Sequence, residues 1–264
     1  MKQFLDTHAH LMDERYEDPD QIPAHMAEDE LFLTVSVGYN LVSSRAAVAA
    51  AQKYGRVFAA VGIHPSDAEE AGAEFYAELT DLAKDPNCLL WGEIGLDYHY
   101  PPLDRDLQKR VFLEQLELAH ASKLPVAIHL REAAGEMNEL LRQNAGLLEY
   151  GGIMHCYAQS AELVPFYLKL GLYLSFSGTV TFKNARGLLD AVRAVPLERI
   201  LTETDSPYLT PEPFRGKTNQ PAYVRYVAQK VAELKGVEVE ALNDCVLKNF
   251  RTLCPRLDAA LRND

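Results

Sequence analysis

The sequence FLTVSV at Phe32–Val37 is the stretch from which the fold class follows. It is almost continuously apolar or β-branched, and Pro125–Ile128 (PVAI) is a second run of the same kind. Strands of this composition are usually buried on both faces, as in parallel sheets that are covered by helices. The two runs therefore predict an α/β protein built on a parallel sheet.

Eight β-rich segments alternate with longer amphipathic segments along the chain. The predicted strands are Gln3–Thr7, Leu31–Val37, Val57–Ile63, Leu89–Ile94, Pro125–His129, Gly152–His155, Tyr173–Ser177 and Arg199–Thr204. Because a helical or loop crossover follows each strand, the pattern predicts a closed (β/α)8 TIM barrel. A doubly wound open sheet is the alternative, but the first strand lacks the Gly-x-Gly-x-x-Gly turn that many such folds use for dinucleotides.

The segments between the strands carry helix signals. Ser66-Asp67-Ala68-Glu69 predicts a capping box that opens a helix running towards Lys84. A Pro-rich loop, Pro211–Gln220, follows the last strand and precedes two extra C-terminal helices. These two are Ala222–Lys235 and Glu238–Asn249. Helices are also predicted at Ser43–Tyr54 and Asp104–Ser122. No break in composition marks a linker, so a single barrel domain is predicted over residues 1–264.

The overall charge limits the kind of partner. The formal net charge of −12 provides no long-range attraction for a polyanion, which disfavours tight groove binding to duplex nucleic acid. A phosphate-containing substrate that metal ions and a few arginines hold locally remains compatible with this charge. Contact with such a substrate is expected to be weak or directed at its ends.

The cysteines and the N-terminus suggest where the protein works. The four cysteines contain no Cys-x-x-Cys pair, which suits a reducing compartment and argues against a disulfide framework. The N-terminus has no apolar signal region, and no segment is long enough to span a bilayer. The sequence therefore predicts a cytoplasmic protein with no membrane partner, and it gives no sign of an obligate protein partner.

Histidine and acidic residues recur at the C-terminal ends of the predicted strands, where barrel enzymes carry their active sites. The residues at these ends are His8, His10, His64, Glu93, His129, His155 and Asp205. His8 and His10 lie two apart, so in an extended strand they point to the same face. Each residue alone has an ordinary structural explanation, such as a turn cap for Asp205. Their recurrence in a chain with only eight histidines favours one shared site.

Imidazoles and carboxylates together suit a metal centre. They are ligands for zinc, manganese, nickel or iron, and with fewer nitrogens for magnesium. The set is sufficient for two ions if Glu93 bridges them, and two such ions can clamp the attacking and leaving oxygens of a phosphodiester. Asp205 is a candidate for both ligation and handling of the water. His64 need not be a ligand and is a candidate for substrate contact.

Six motifs and a later run lie in order along the chain. They are Asp6–Leu11 (DTHAHL), Gly62–Pro65 (GIHP), Gly92–Tyr98 (GEIGLDY), Leu124–His129 (LPVAIH) with Arg131, Gly152–Cys156 (GIMHC), Glu203–Pro207 (ETDSP) and Arg215–Pro221 (RGKTNQP). In this combination the whole chain resembles the TatD family of metal-dependent deoxyribonucleases. The resemblance implies an amidohydrolase-like barrel, a centre of one or two divalent ions (Mg, Mn, Zn or Ni), and hydrolysis of DNA, in some members as a 3′→5′ exonuclease.

The resemblance also implies roles for single residues. Its metal-binding positions match His8, His10, Glu93, His129, His155 and Asp205. From their chemistry, Asp205 and Glu93 are the expected catalytic residues. Arg131 and His64 match positions near the site and, with Arg215 of the Pro-rich loop, are the expected substrate-binding residues. Tyr98, Tyr100 and Tyr157 are weaker candidates for stacking on bases.

The sequence departs from the family pattern after His155-Cys156, where Tyr157, Ala158 and Gln159 replace the usual Phe, Ser or Thr, and Gly. Leu130 also follows His129 where a small polar residue is common. These changes keep a second hypothesis open, a small-molecule amidohydrolase or phosphoesterase of the same architecture. A non-enzymatic binding protein that retains the barrel is the third.

Overall fold

The computed structural model describes residues 3–101 and 104–262, and its eight strands form one parallel sheet. The strands are β1 Phe4–Ala9, β2 Leu31–Val37, β3 Val57–Val61, β4 Cys88–Asp97, β5 Val126–Arg131, β6 Gly152–Met154, β7 Leu172–Phe176 and β8 Ile200–Thr202. Their order in the sheet follows the chain, and every neighbouring pair is parallel. The predicted parallel α/β architecture is confirmed.

The sheet closes on itself between β1 and the residues that follow β8. Ala9 and Ser206 form a parallel bridge, and the His10 amide donates to the Ser206 carbonyl over 2.7 Å. The Asp205 amide donates to the His8 carbonyl over 2.9 Å. Closure removes the sheet edges, so the fold is the predicted (β/α)8 barrel, and the open doubly wound sheet is wrong.

The helices lie between the strands and after the last one. They are α1 Gln21–His25, α2 Leu41–Lys53, α3 Ala73–Leu82, α4 Arg105–Ala121, α5 Ala134–Gln143, α6 Val164–Lys169, α7 Arg186–Ala194, α8 Val224–Lys235, α9 Val239–Leu253 and α10 Arg256–Ala260. Strands β1 to β4 are buried almost throughout because the barrel interior covers one face and the helices cover the other. The two predicted C-terminal helices are present as α8 and α9, and the short α10 was not predicted.

The helix predicted from Ser66 to Lys84 is wrong. Residues Pro65–Glu70 form a 3-10 segment, the backbone of Gly72 is extended, and α3 begins only at Ala73. Ser66 does not cap this segment, because its amide donates to the His64 ring. A reciprocal capping box occurs instead at α2, where the Asn40 side chain accepts from the Ser43 amide over 2.9 Å.

Other predictions concern the chain as a whole. All four cysteines carry free thiols, in line with the expected absence of a disulfide framework. Within the described ranges, no helix combines the length and the apolar character that crossing a membrane requires. The single domain over 1–264 stays a prediction, and residues 1–2, 102–103 and 263–264 of it lie outside the described residues.

Candidate metal centre

Strand β1 delivers two imidazoles to the carboxyl end of the barrel. His8 and His10 are buried, and their Nε2 atoms lie 3.5 and 3.6 Å from Oε2 of Glu93. The Nδ1 atom of His10 donates to the Val37 carbonyl over 2.9 Å, since a carbonyl can only accept. This bond fixes the tautomer, so the Nε2 lone pair of a neutral His10 faces the centre.

Glu93 on β4 lies at the middle of the cluster, with its two oxygens facing different histidines. Oε2 faces His8 and His10, whereas Oε1 lies 2.7 Å from His129 Nδ1 and 3.0 Å from His155 Nε2. Burial alone would raise the pKa of this carboxyl, but His155 and the other imidazoles hold it well below its usual value. Glu93 is therefore a charged carboxylate with imidazoles on both sides.

Asp205 follows β8 and reaches the same two histidines as Oε2 of Glu93. Its Oδ1 atom lies 3.8 Å from His8 Nε2 and 3.5 Å from His10 Nε2. The residue has a left-handed backbone, with φ of 56°, which turns the side chain inwards while its amide pairs with β1. Burial opposes ionisation, yet the nearby imidazoles, His10 foremost among them, lower the pKa of Asp205.

Two outer carboxylates hold the remaining imidazoles. Nε2 of His129 lies 3.1 Å from Asp97 Oδ2, and Nδ1 of His155 lies 3.1 Å from Glu203 Oε1. Burial would lower the pKa of both histidines, but these carboxylates and Glu93 outweigh it and raise both pKa values. Carboxylates in this position orient an imidazole and increase its basicity.

His64 differs from the other histidines in its tautomer. Its Nδ1 atom accepts a hydrogen bond from the Ser66 amide over 3.1 Å, so the hydrogen of the neutral ring is on Nε2. That Nε2 lies 3.8 Å from Oε1 of Glu93. Burial and the neighbouring His129 lower the pKa of His64 to about 3, so the ring stays neutral near pH 7. It presents an N–H donor to the centre rather than a lone pair.

Asp6 binds backbone amides next to the metal centre, a role that was not predicted from the sequence. Its Oδ1 atom accepts from the Thr204 amide over 2.8 Å and from the His8 amide over 3.3 Å. Burial raises the pKa of Asp6 well above its usual value. The residue joins the ends of β1 and β8 just beneath His8 and Asp205. Its signal in the sequence is an aspartate directly after the apolar pair Phe4-Leu5 of a predicted strand.

The donor atoms fit a divalent cation. Two groups have possible ligand atoms within 4.8 Å of one another: His8, His155 and Asp205; and His8, His10 and Glu93. A third group, His64, Glu93 and His129, is equally close, but the His64 nitrogen that faces Glu93 carries a hydrogen. Nε2 of His8 is buried and has no hydrogen-bond partner within the described part of the chain. An unpartnered buried nitrogen beside ionised carboxylates matches the chemistry of an imidazole ligand.

A cavity of about 550 Å³ opens onto this centre. Besides the metal-centre residues, it is lined by Arg131, which was predicted, and by Arg15 and Tyr208, which were not. Arg15 belongs to the loop after β1 and Tyr208 to the loop after β8. Neither loop carries a sequence pattern that reveals which of its residues face inwards.

Some predicted substrate contacts lie elsewhere. Arg215 does not line this cavity, because its guanidinium stacks on Phe182 at 3.8 Å from the ring centroid. Tyr157 is buried and donates to the Ser160 carbonyl, and Tyr98 is also largely buried, so neither ring is open to a base. Tyr100 lines the cavity and is 65% exposed.

Gly95 allows β4 to approach His129 closely, and its replacement should be costly. Its φ is 156°, and a Cβ there would lie 2.0 Å from the His129 carbonyl oxygen. We expect Gly95→Ala to lower the free energy of unfolding by about 2–4 kcal/mol, measured by urea denaturation. The matched control is Gly135→Ala on α5, where a Cβ meets no atom within 4 Å. Equal stability of the two variants would contradict the close approach.

Comparison with known proteins places the chain in a family. The family model described as TatD related DNase matches residues 5–255. The uncharacterized metal-dependent hydrolase YabD of Bacillus subtilis (strain 168) is 39% identical over 250 residues, covering 94% of this chain and 98% of YabD. The similarly named YcfH of Escherichia coli (strain K12) is 37% identical over 253 residues, covering 94% of both chains.

A solved structure agrees with this placement. The crystal structure of YJJV, a TatD homologue from Escherichia coli K12, superposes with a TM-score of 0.91 at 25% identity and covers 97% of this chain and 99% of its own. The family model matches residues 5–255, and the eight strands of the barrel extend over most of the same range. The match and the fold therefore both cover nearly the entire chain. The chain therefore belongs to the family of TatD-related DNases and is a hydrolase.

Proposed function

We propose that the protein hydrolyses DNA phosphodiester bonds with two divalent metal ions, for which Glu93 would be a shared ligand. The observation that supports this is the division of the Glu93 oxygens, with His8 and His10 facing Oε2 and His129 and His155 facing Oε1. In this proposal Asp205 completes the ligand set beside His8 and His10. When bound, the ions would polarise the phosphodiester and make a water molecule more acidic.

The residues around the ions have separate tasks in this proposal. Asp205 orients the attacking water and accepts its proton, because it is an ionised carboxylate that lines the cavity beside His10. His64 donates its Nε2 hydrogen to an oxygen of the substrate, which its neutral state permits near pH 7. Arg131 contributes positive charge at the cavity wall.

The net charge bears on the form of DNA that the protein would bind. The net charge of −12 favours contact with ends or single strands rather than a grip along a duplex. A 3′→5′ direction of cleavage, weak binding of DNA and a cytoplasmic location remain predictions. The second candidate, a small-molecule hydrolase, was motivated partly by Tyr157, which does not line the cavity.

Metal reconstitution with end-labelled DNA tests the proposed function. Protein stripped with a chelator should be inactive on single-stranded oligonucleotides labelled at the 5′ or 3′ end, and Mg²⁺, Mn²⁺, Zn²⁺ or Ni²⁺ added in turn should restore cleavage. Binding of the active ion at 100-fold above its Kd should also stabilise the fold by about 2.7 kcal/mol, seen as a rise in Tm.

The possible outcomes of the reconstitution separate the hypotheses. If the ion raises Tm but labelled DNA stays intact while small esters are cleaved, the small-molecule hypothesis replaces the nuclease. If no ion changes Tm or activity, the metal centre itself is wrong. The two label positions report the direction of cleavage.

A further inference from the structure

Two exposed tyrosines flank the cavity. Among the described residues, the large apolar side chains that stand exposed are Val42, Tyr100 and Tyr208, at 72%, 65% and 39%. Tyr100 and Tyr208 both line the cavity above the metal centre. Exposure of an apolar ring is unfavourable in water, and at the mouth of a cavity it often marks a binding surface.

Each of these tyrosines is paired with an arginine. The guanidinium carbon of Arg15 lies 4.2 Å from the centroid of the Tyr208 ring, and that of Arg131 lies 4.9 Å from the centroid of Tyr100. Both arginines line the same cavity. An aromatic ring beside a guanidinium combines a stacking surface for a base with a positive charge for a phosphate.

The Arg15–Tyr208 pair is held in place by Asp13. The Tyr208 hydroxyl donates to Oδ2 of Asp13 over 3.0 Å, and Oδ1 of Asp13 accepts the Arg15 amide over 2.9 Å. Asp13 itself is largely buried. The pair is next to the centre, since the Tyr208 and His10 ring centroids are 6.0 Å apart and the Tyr208 amide donates to the Asp205 carbonyl.

The Arg131–Tyr100 pair leaves its charge available. Its possible acidic partners, Glu132 and Asp97, are engaged elsewhere, because Glu132 contacts His99 at 2.6 Å and Asp97 contacts His129 at 3.1 Å. Within the described part of the chain, no carboxylate oxygen comes within 4.0 Å of the Arg131 guanidinium. The Tyr100 ring packs against His99 with 4.4 Å between centroids.

The barrel topology places the two pairs on opposite sides of the centre. Arg15 and Tyr208 follow β1 and β8, which are neighbours at the closure, whereas Tyr100 and Arg131 belong to the ends of β4 and β5. In a closed sheet with the order β1 to β8, these two positions face each other across the barrel. An oligonucleotide in contact with both pairs would therefore cross the cavity that Glu93 also lines.

We propose that the two Arg–Tyr pairs are nucleotide platforms that hold a single-stranded oligonucleotide across the metal centre. One base stacks on each tyrosine, and Arg15 and Arg131 bind the phosphates that flank the bond to be cleaved. This inference rests on the proposed function and names its substrate as unpaired, because a base in the interior of a duplex is stacked on both faces and cannot stack on a ring. It also explains how an acidic protein binds a polyanion, through two local charges instead of a basic groove.

Kinetics with two substrates test the platforms. We expect Tyr100→Ala and Tyr208→Ala each to raise KM for an oligothymidylate about tenfold with little change in kcat. Arg131→Gln and Arg15→Gln should have a similar effect and a weaker dependence of KM on salt, with the log–log slope reduced by about one. Hydrolysis of bis(p-nitrophenyl) phosphate, which is too short to reach both platforms, should lose less of its kcat/KM in each tyrosine variant than cleavage of the oligothymidylate does.

Matched variants distinguish the platforms from general damage. Tyr100→Phe keeps the ring and should behave like the wild type. Arg142→Gln removes an arginine that stacks on Phe166 at 5.5 Å, outside the residues lining the cavity, and should change neither substrate. Equal losses on both substrates in an alanine variant would overturn the platform role in favour of an effect on the centre.

The remaining outcomes separate this inference from the proposed function. If the wild type cleaves the oligonucleotide and the alanine variants keep its KM, the platforms are wrong and the nuclease stands. If only bis(p-nitrophenyl) phosphate is cleaved, the nuclease fails, and fluorescence anisotropy of a labelled oligothymidylate then decides. In a metal-loaded Asp205→Asn background, about tenfold weaker binding on adding Tyr100→Ala supports the platforms, and unchanged or absent binding overturns them.

Discussion

Glu93→Gln is expected to reduce hydrolysis by at least about 10³-fold, because metal ions supply several kcal/mol of charge stabilisation in the transition state. An amide is neutral, and one of its two ends is a donor. It therefore cannot offer an anionic oxygen both to His8 and His10 and to His129 and His155, as Glu93 does. The variant should also lose bound metal, measured by elemental analysis after gel filtration.

The control for this variant is Glu69→Gln, the same chemical change at an exposed position outside the residues lining the cavity. It should leave metal content and turnover unchanged. A Glu93→Gln protein that keeps two ions per chain and normal turnover would rule out Glu93 as the bridge. Circular dichroism of both variants checks that the barrel is intact.

Asp205→Asn is expected to lower kcat by about 10²–10⁴-fold, the range that a positioned general base contributes. The asparagine retains an oxygen that can face His8 and His10, so metal loss should be smaller than in Glu93→Gln. Single-turnover cleavage of labelled DNA, together with metal content, separates the two variants. The matched control is Asp67→Asn, a carboxyl that lines the same cavity without contacting these histidines.

The opposite ranking would change the assignment of roles. If Asp205→Asn lost all metal but Glu93→Gln only slowed turnover, Asp205 would be the essential ligand and Glu93 the base. If neither variant lost activity, hydrolysis would have to occur elsewhere in the molecule.

The fold could be predicted because its determinants are local. Runs such as FLTVSV at Phe32–Val37 are almost continuously apolar or β-branched, and this favours a parallel sheet under helices. The period of two along β1 likewise predicts that His8 and His10 face one way, and their Nε2 atoms do approach the same oxygen of Glu93. In both cases the local sequence pattern was sufficient to predict the structure.

Features that depend on distant contacts were missed or misplaced. Strand β4 runs on to Asp97, beyond the predicted Ile94, because Gly95 takes a backbone that lets it pack against His129 on β5. The helix predicted from Ser66 fails because the His64 ring captures the Ser66 amide. Arg15 and Tyr208 come from loops far apart in the sequence, stack on each other and are both bonded to Asp13, and no spacing in the sequence indicates such a contact.

The closure of the barrel sets the order in which the centre can be built during translation. Asp6 and Thr204 are bonded across 198 residues of sequence, so the ribosome releases the strand with His8 and His10 long before the segment with Asp205. Domains generally fold as units as they emerge, and until then the free edge of β1 needs protection from wrong partners. A chain that stops before Asp205 carries five of the six proposed ligands and no finished centre. Metal-dependent hydrolysis is therefore expected only after the segment with Asp205 has paired with β1.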